Sequence, residues 1–170
     1  MAKSLSGKVA LITGMFYSVH YKLIIKLITW LSGSSSGIGE EAAIYLSSLG
    51  ANVVVTGRNE ERVKQVVKKC ESASQKALGV VADITKDEDL KMLVKKTIDE
   101  FGKLDILVNN AGFSETTTFD APNRMEVYDE TMNTNVRGVY YLTSLAVPYL
   151  EKTRGTIVNI SFNARMRVVI

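Results

Sequence analysis

Ser34, Ser35 and Ser36 run into Gly37, Ile38 and Gly39, and apolar residues at helical spacing follow. Glycines in such a loop let backbone N–H groups come close to a phosphate, and a helix start favours its negative charge. The chemistry open to this segment is the holding of a pyrophosphate. A Ser/Gly loop alone is often a plain turn, so the elements around it carry the weight. From Gly39 to the end of the next apolar strand is about 18 residues, near the ~20 expected before a ribose-reading position. Other reactive types are scarce. His20 is the one histidine and Cys70 the one cysteine. That gives no support to a metal site, excludes any internal disulfide and suits a reducing compartment.

The elements that must position this loop follow from periodicity. Short apolar runs predict strands over 8–13, 52–56, 77–82, 104–108 and 156–160. Ile38, Ala42, Ala43, Leu46 and Leu49 predict a helix over 36–49 that stops at Gly50. Asn59 suits the cap of a second helix with Val63, Val66, Val67 and Cys70 on its buried stripe. Thr85 and Glu88 have capping-box spacing before a third helix, which stops at Gly102. Residues 125–151 read as one long helix or two joined ones. Strands thus alternate with helices five times. The predicted class is α/β: a single domain over 1–170, with a Rossmann-like doubly wound parallel sheet of about five strands. Its ligand belongs at the carboxyl ends of the strands, near the switch between the first and fourth.

Composition agrees with a folded domain. The 170 residues are 46% hydrophobic and 23% charged, which excludes intrinsic disorder. Lys and Arg total 21 against 18 Asp and Glu, a net charge of +3 that gives no argument for nucleic acid. The excess sits in two segments without acids: 15–33, with Lys22 and Lys26, and 162–170, with Arg165 and Arg167. The apolar run Leu23–Leu31 is broken by Lys26 and falls short of the ~20 residues a membrane helix needs. The expectation is a soluble, cytoplasmic chain with no membrane partner. An interfacial amphipathic helix over Tyr21–Leu31 is the alternative.

Several motifs together resemble the short-chain dehydrogenase/reductase family. Its glycine motif is Thr-Gly-x-x-x-Gly-Ile-Gly. Here Thr13-Gly14 is followed, after residues 15–33, by Ser34-Ser35-Ser36-Gly37-Ile38-Gly39. Asp83 after the third strand, Asn109-Asn110-Ala111-Gly112 after the fourth and Asn135-Val136-x-Gly138 in the long helix also match. The resemblance covers about residues 6–161 outside 15–33. The interrupting 19 residues hold four aromatics and no acid, and they read as retained intron. Gly-Met-Phe and Leu-Ser-Gly at its ends are what splice-donor-like and acceptor-like strings encode, and excision keeps the frame. A lineage-specific loop is the alternative reading. Leu27–Ser32 is itself strand-like and competes with 8–13 for the first sheet position; we favour 8–13.

The resemblance implies an oxidoreductase that interconverts carbonyls and alcohols with a nicotinamide cofactor. Thr13, Gly14, Ser34, Ser35, Ser36, Gly37, Ile38 and Gly39 would form the pyrophosphate side, and Asn109, Ala111 and Gly112 the wall after the fourth strand. Asp83 would contact the adenine, or serve only as a turn or cap residue. An acid at the end of the second strand would accept the ribose hydroxyls and favour NAD(H). Gly57 stands there instead, and Arg58 follows, so NADP(H) is preferred. A solvated arginine near a helix start is the plainer reading of Arg58. Of the family's proton machinery only Asn135 is matched. None of the seven tyrosines has a lysine four residues later. The Ser pair that ends the fifth strand in the family is Ser161-Phe162 here. The chain therefore reads as truncated and inactive, with the Tyr-x-x-x-Lys lying beyond Ile170. The family is usually homo-oligomeric. A non-catalytic NADP-binding or subunit-pairing fragment and a non-functional splice product remain as alternatives.

Overall fold

A computed structural model describes residues 5, 7–13, 34–35, 37–71, 76–115 and 117–161. Gly14, the segment 15–33, Ser36 and the tail 162–170 lie outside the described residues. The elements are β1 (Val9–Ile12), α1 (Gly37–Ser48), β2 (Asn52–Gly57), α2 (Glu60–Glu71), β3 (Ala77–Val81), α3 (Asp87–Phe101), β4 (Ile106–Asn109) and α4 (Arg124–Met132). A π-helical turn over Asn133–Gly138 then leads into α5 (Val139–Thr153) and β5 (Thr156–Asn159). All pairings are parallel, in the order β3-β2-β1-β4-β5. The chain reverses its winding between β1 and β4, as the alternation of elements predicts.

Period-two alternation sends neighbouring side chains to opposite faces of the sheet. Val9 and Leu11 join one core, with Val54, Leu107, and Leu90, Leu93, Leu142 and Leu150 from α3 and α5. Ala10 and Ile12 join the other, with Val53, Val55, and Val63, Val66 and Cys70 from α2. All four residues of β1 are buried. Each large apolar side chain so buried contributes about 1.5–3 kcal/mol. The first sheet position thus belongs to Val9–Ile12, the favoured of the two competing segments.

One local expectation is corrected. Thr85 makes no capping box: the N-cap of α3 is Lys86, with no side-chain bond. The Thr85 hydroxyl instead donates to Asp83 Oδ1 at 2.8 Å. Helix α5 is closed by Arg154, a left-handed residue at φ 50°, just before Gly155. β1 and most of β2 are buried on both faces, whereas the edge strands β3 and β5 are largely exposed. Asn59 does cap α2, its Oδ1 accepting from Arg62 N at 3.0 Å.

The amino ends of the strands are tied together by Asp105. Its carboxylate accepts from Val9 N and from Lys8 Nζ, each at 2.9 Å, and lies 3.0 Å from Lys103 Nζ. Its backbone donates to Val9 O and accepts from Thr156 N. One residue thus fixes the start of β1, β4 and β5. The opposite, carboxyl ends are left for a ligand.

Beyond β5 the sheet has no further covering strand among the described residues. Ile157, Val158 and Ile160 are exposed, as are Val136 and Tyr140 on the long helix, whereas Leu150 is buried in the core. No described helix is long and apolar enough to cross a membrane.

Candidate active site at the carboxyl edge of the sheet

A cleft opens at the carboxyl ends of β1, β2 and β4 and beside the loop after β3. Thr13, Gly57, Arg58, Asp83 and Ala111 line it, together with Thr56 and Ile84. The fold therefore gathers, in one place, residues drawn from four separated segments.

Ser34 holds the loop that enters α1. It is fully buried, and its hydroxyl donates to Thr56 O at 2.6 Å and accepts from Thr56 N at 3.0 Å. Thr56 lies just past the last β1–β2 pair, Ile12 with Val55. The serine hydroxyl thus satisfies the backbone of β2 where the strand ladder stops. The Ser34→Ala substitution leaves both Thr56 groups unpaired in a buried site. It is expected to lower stability by about 1–3 kcal/mol, seen as a fall in the urea midpoint at constant slope. Gly37 then opens α1 at φ 60°, Ile38 is half-buried and Gly39 is buried.

Thr13, at the end of β1, works on the opposite wall. Its hydroxyl donates to Val108 O and accepts from Asn110 N and Ala111 N, all at 3.3–3.4 Å. This ties the Asn109–Gly112 turn to β1. Asn109 Nδ2 donates to Asn159 Oδ1 at 2.9 Å and to Thr143 Oγ1 at 3.1 Å. Asn159 and Thr143 escaped the sequence reading. The signal was there for Asn159, a lone polar residue inside the apolar run of β5.

Asp83 is half-buried after β3. Its Oδ1 accepts from the backbone and hydroxyl of Thr85, and its own N–H donates to Asp89 Oδ2 at 2.8 Å. Asn135 sits apart from the cleft lining, in the π-helical turn. Its Oδ1 accepts from Phe113 N and its Nδ2 donates to Phe113 O, both at 2.7 Å. The amide oxygen and one amide N–H thus pair with the backbone just past Gly112. π-helical turns are rare and recur at functional sites. This one places Asn135 against the loop after β4, and Arg137 makes a bidentate pair with Asp87, at 2.7 and 2.8 Å, across to the start of α3.

A family model described as short chain dehydrogenase matches residues 27–169. The chain belongs to the short-chain dehydrogenase family. The match starts within 15–33 and so leaves out β1. The chain is 38% identical over 132 residues to 11-beta-hydroxysteroid dehydrogenase A of Sesamum indicum, covering 77% of this chain and 38% of that protein. It is 37% identical over 138 residues to an uncharacterized oxidoreductase of Thermotoga maritima, covering 81% and 54% respectively. Among solved structures it resembles a 7 alpha-hydroxysteroid dehydrogenase complexed with NADH and 7-oxo glycochenodeoxycholic acid. The TM-score is 0.78 at 32% identity, covering 94% of this chain and 55% of that one. Glucose dehydrogenase of Caenorhabditis elegans gives a TM-score of 0.72 at 38% identity, with 93% and 56% covered. The chain thus spans about half the length of these relatives or less. Members of the short-chain dehydrogenase family are oxidoreductases that bind a nicotinamide cofactor, and the cleft lies where such a fold binds its dinucleotide.

Proposed function

We propose that this chain forms the dinucleotide-binding half of an NADP(H)-dependent carbonyl/alcohol oxidoreductase, and that it carries out no hydride transfer by itself. The observation that carries the cofactor choice is the end of β2. Gly57 offers no carboxylate to the ribose, and the exposed Arg58 stands on the same cleft wall. A guanidinium there suits a 2′-phosphate, which it holds by paired charge-assisted hydrogen bonds.

The remaining residues fit the group. Ser34, Ser35, Gly37, Ile38 and Gly39 would hold the pyrophosphate at the start of α1; Gly14 and Ser36 of the same motif lie outside the described residues. Thr56 Oγ1, buried in the cleft lining, has no partner among the described residues. Asp83 serves the adenine side. Asn109, Ala111 and Gly112, backed by Thr13, form the wall toward the reacting ring. A bound nicotinamide supplies or accepts the hydride. The protein must orient that ring, hold the substrate oxygen and provide a proton for the developing alkoxide. Orientation is built here. Proton donation is not, because no Tyr-x-x-x-Lys is present, Phe162 replaces the expected serine, and the Asn135 amide is committed to Phe113. Asn135 is thus a positioning residue.

Fluorescence titration with NADPH and NADH tests this. NADPH should bind more tightly, and Arg58→Ala should weaken NADPH by about ten- to hundredfold while leaving NADH unchanged. Equal affinities refute the cofactor choice; steady NADPH oxidation by the purified chain with a ketone refutes the inactivity. A second reading, a fragment that pairs with a longer subunit, is favoured by the exposed edge of β5. Binding without turnover fits both; failure to bind leaves a splice product with no function of its own. Residues 1–170 form a single cytoplasmic domain in this reading, and 15–33 are retained intron; comparison of transcript with gene tests the latter.

A further inference from the structure

We propose that Ser35 and Gly57 act as one unit in cofactor selection, with the Ser35 hydroxyl occupying the space that a side chain at position 57 would need. The inference rests on the dinucleotide reading of the cleft and extends it to a residue on the opposite side of the loop. A Cβ built on Gly57 would lie 2.7 Å from Ser35 Oγ, far inside contact distance. It would lie 3.4 Å from Ser35 Cβ and 3.7 Å from Val63 Cγ2, both ordinary contacts. The hydroxyl alone is therefore the obstacle. It has little room to retreat as a body, because the neighbouring Ser34 is buried and bonded twice to Thr56, the residue before Gly57. Gly57 is itself buried. A side chain at 57 must push the Ser35 hydroxyl out of its position or bend the loop that leads into α1.

The consequence concerns specificity. An acid at the end of β2 is the residue that reads a ribose diol. In this chain that acid is excluded twice: it is not encoded, and the serine across the loop fills its place. Installing it alone must turn the Ser35 hydroxyl aside or shift the loop before a diol site can form.

The experiment compares the full chain with Gly57→Asp, Ser35→Ala and the double variant, by NADH and NADPH fluorescence titration and by urea unfolding. Gly57→Asp alone is expected to lose NADPH affinity and gain none for NADH. Adding Ser35→Ala should raise NADH affinity at least tenfold over Gly57→Asp alone and recover most of the lost urea midpoint. A Gly57→Asp chain that binds NADH as well as the double variant overturns the proposal, as do strictly additive urea effects of the two changes. Should the unaltered chain bind neither dinucleotide, the cofactor reading fails and selection fails with it. Non-additive unfolding would then still establish the steric pair, so the two failures are told apart.

Discussion

Replacing Gly138 by alanine is expected to destabilise the protein by about 2–3 kcal/mol and to loosen both walls of the cleft at once. A Cβ at 138 would sit 2.6 Å from the carbonyl oxygen of Ile84 and 2.8 Å from Ile84 Cγ1. The first of these is backbone, which cannot rotate away. Something larger must shift, and the choices are the loop after β3 or the π-helical turn. The loop carries Asp83, beside Ile84 in the cleft lining. The turn carries Asn135, which holds the Phe113 backbone beyond Gly112. The bidentate Arg137–Asp87 pair spans the same junction but is half in solvent, so it adds little restraint. Urea unfolding reads the stability loss, and dinucleotide titration reads the loosening. A Gly138→Ala chain with an unchanged midpoint would show that the turn does not press on Ile84.

Asp105 governs the other end of the sheet. Asp105→Ala is expected to cost about 2–3 kcal/mol, and Asp105→Asn roughly half as much. The reasoning turns on which partners are stranded. Lys8 and Lys103 remain 47% and 41% exposed, so water takes them back when the carboxylate goes. Val9 N is buried and loses its acceptor in the alanine variant; asparagine keeps a carbonyl oxygen for it. The same carboxylate sets a pH dependence. Burial pushes its pKa up, but Lys8, the Val9 amide and Lys103 outweigh that and hold it below the ordinary value. A group lowered on folding binds more protons unfolded, so stability rises with pH across its titration. The contribution is complete above the ordinary carboxylate value of about 3.9 and is lost as pH falls through the lower folded value. Urea midpoints between neutral pH and pH 3 should therefore fall less in Asp105→Asn than in the unaltered chain.

What could be read beforehand, and what could not, divides by the range of the interaction. The apolar runs of β1 and β2 and the stripe of α2 are local patterns, and burial of Val9–Ile12, Val53–Val55 and Val63 follows from them. The serine–glycine loop and the turn after β4 could be named because their residue types are rare in that order. Thr85 misled because its hydroxyl had two local partners in reach, and the Asp83 carboxylate won over the helix amides. The π-helical turn was invisible because it exists to meet Ile84 and Phe113, neither near in sequence. Its run of Asn133, Thr134, Asn135 and Gly138, poor helix formers all, was the only trace. Asp105 carried no signal either, since its importance comes from three strands converging on it.

The bonds from Ser34 to Thr56 bear on how the gene can vary. They moor the downstream limb of the serine–glycine loop to β2, so that limb takes its position from a strand that comes later in the chain. The stretch between Thr13 and Ser34 is consequently a seam: polypeptide can be gained there while the residues on either side keep their own attachments. A splicing accident or a designed peptide tag placed at that seam meets less resistance than one placed anywhere within β1, α1 or β2.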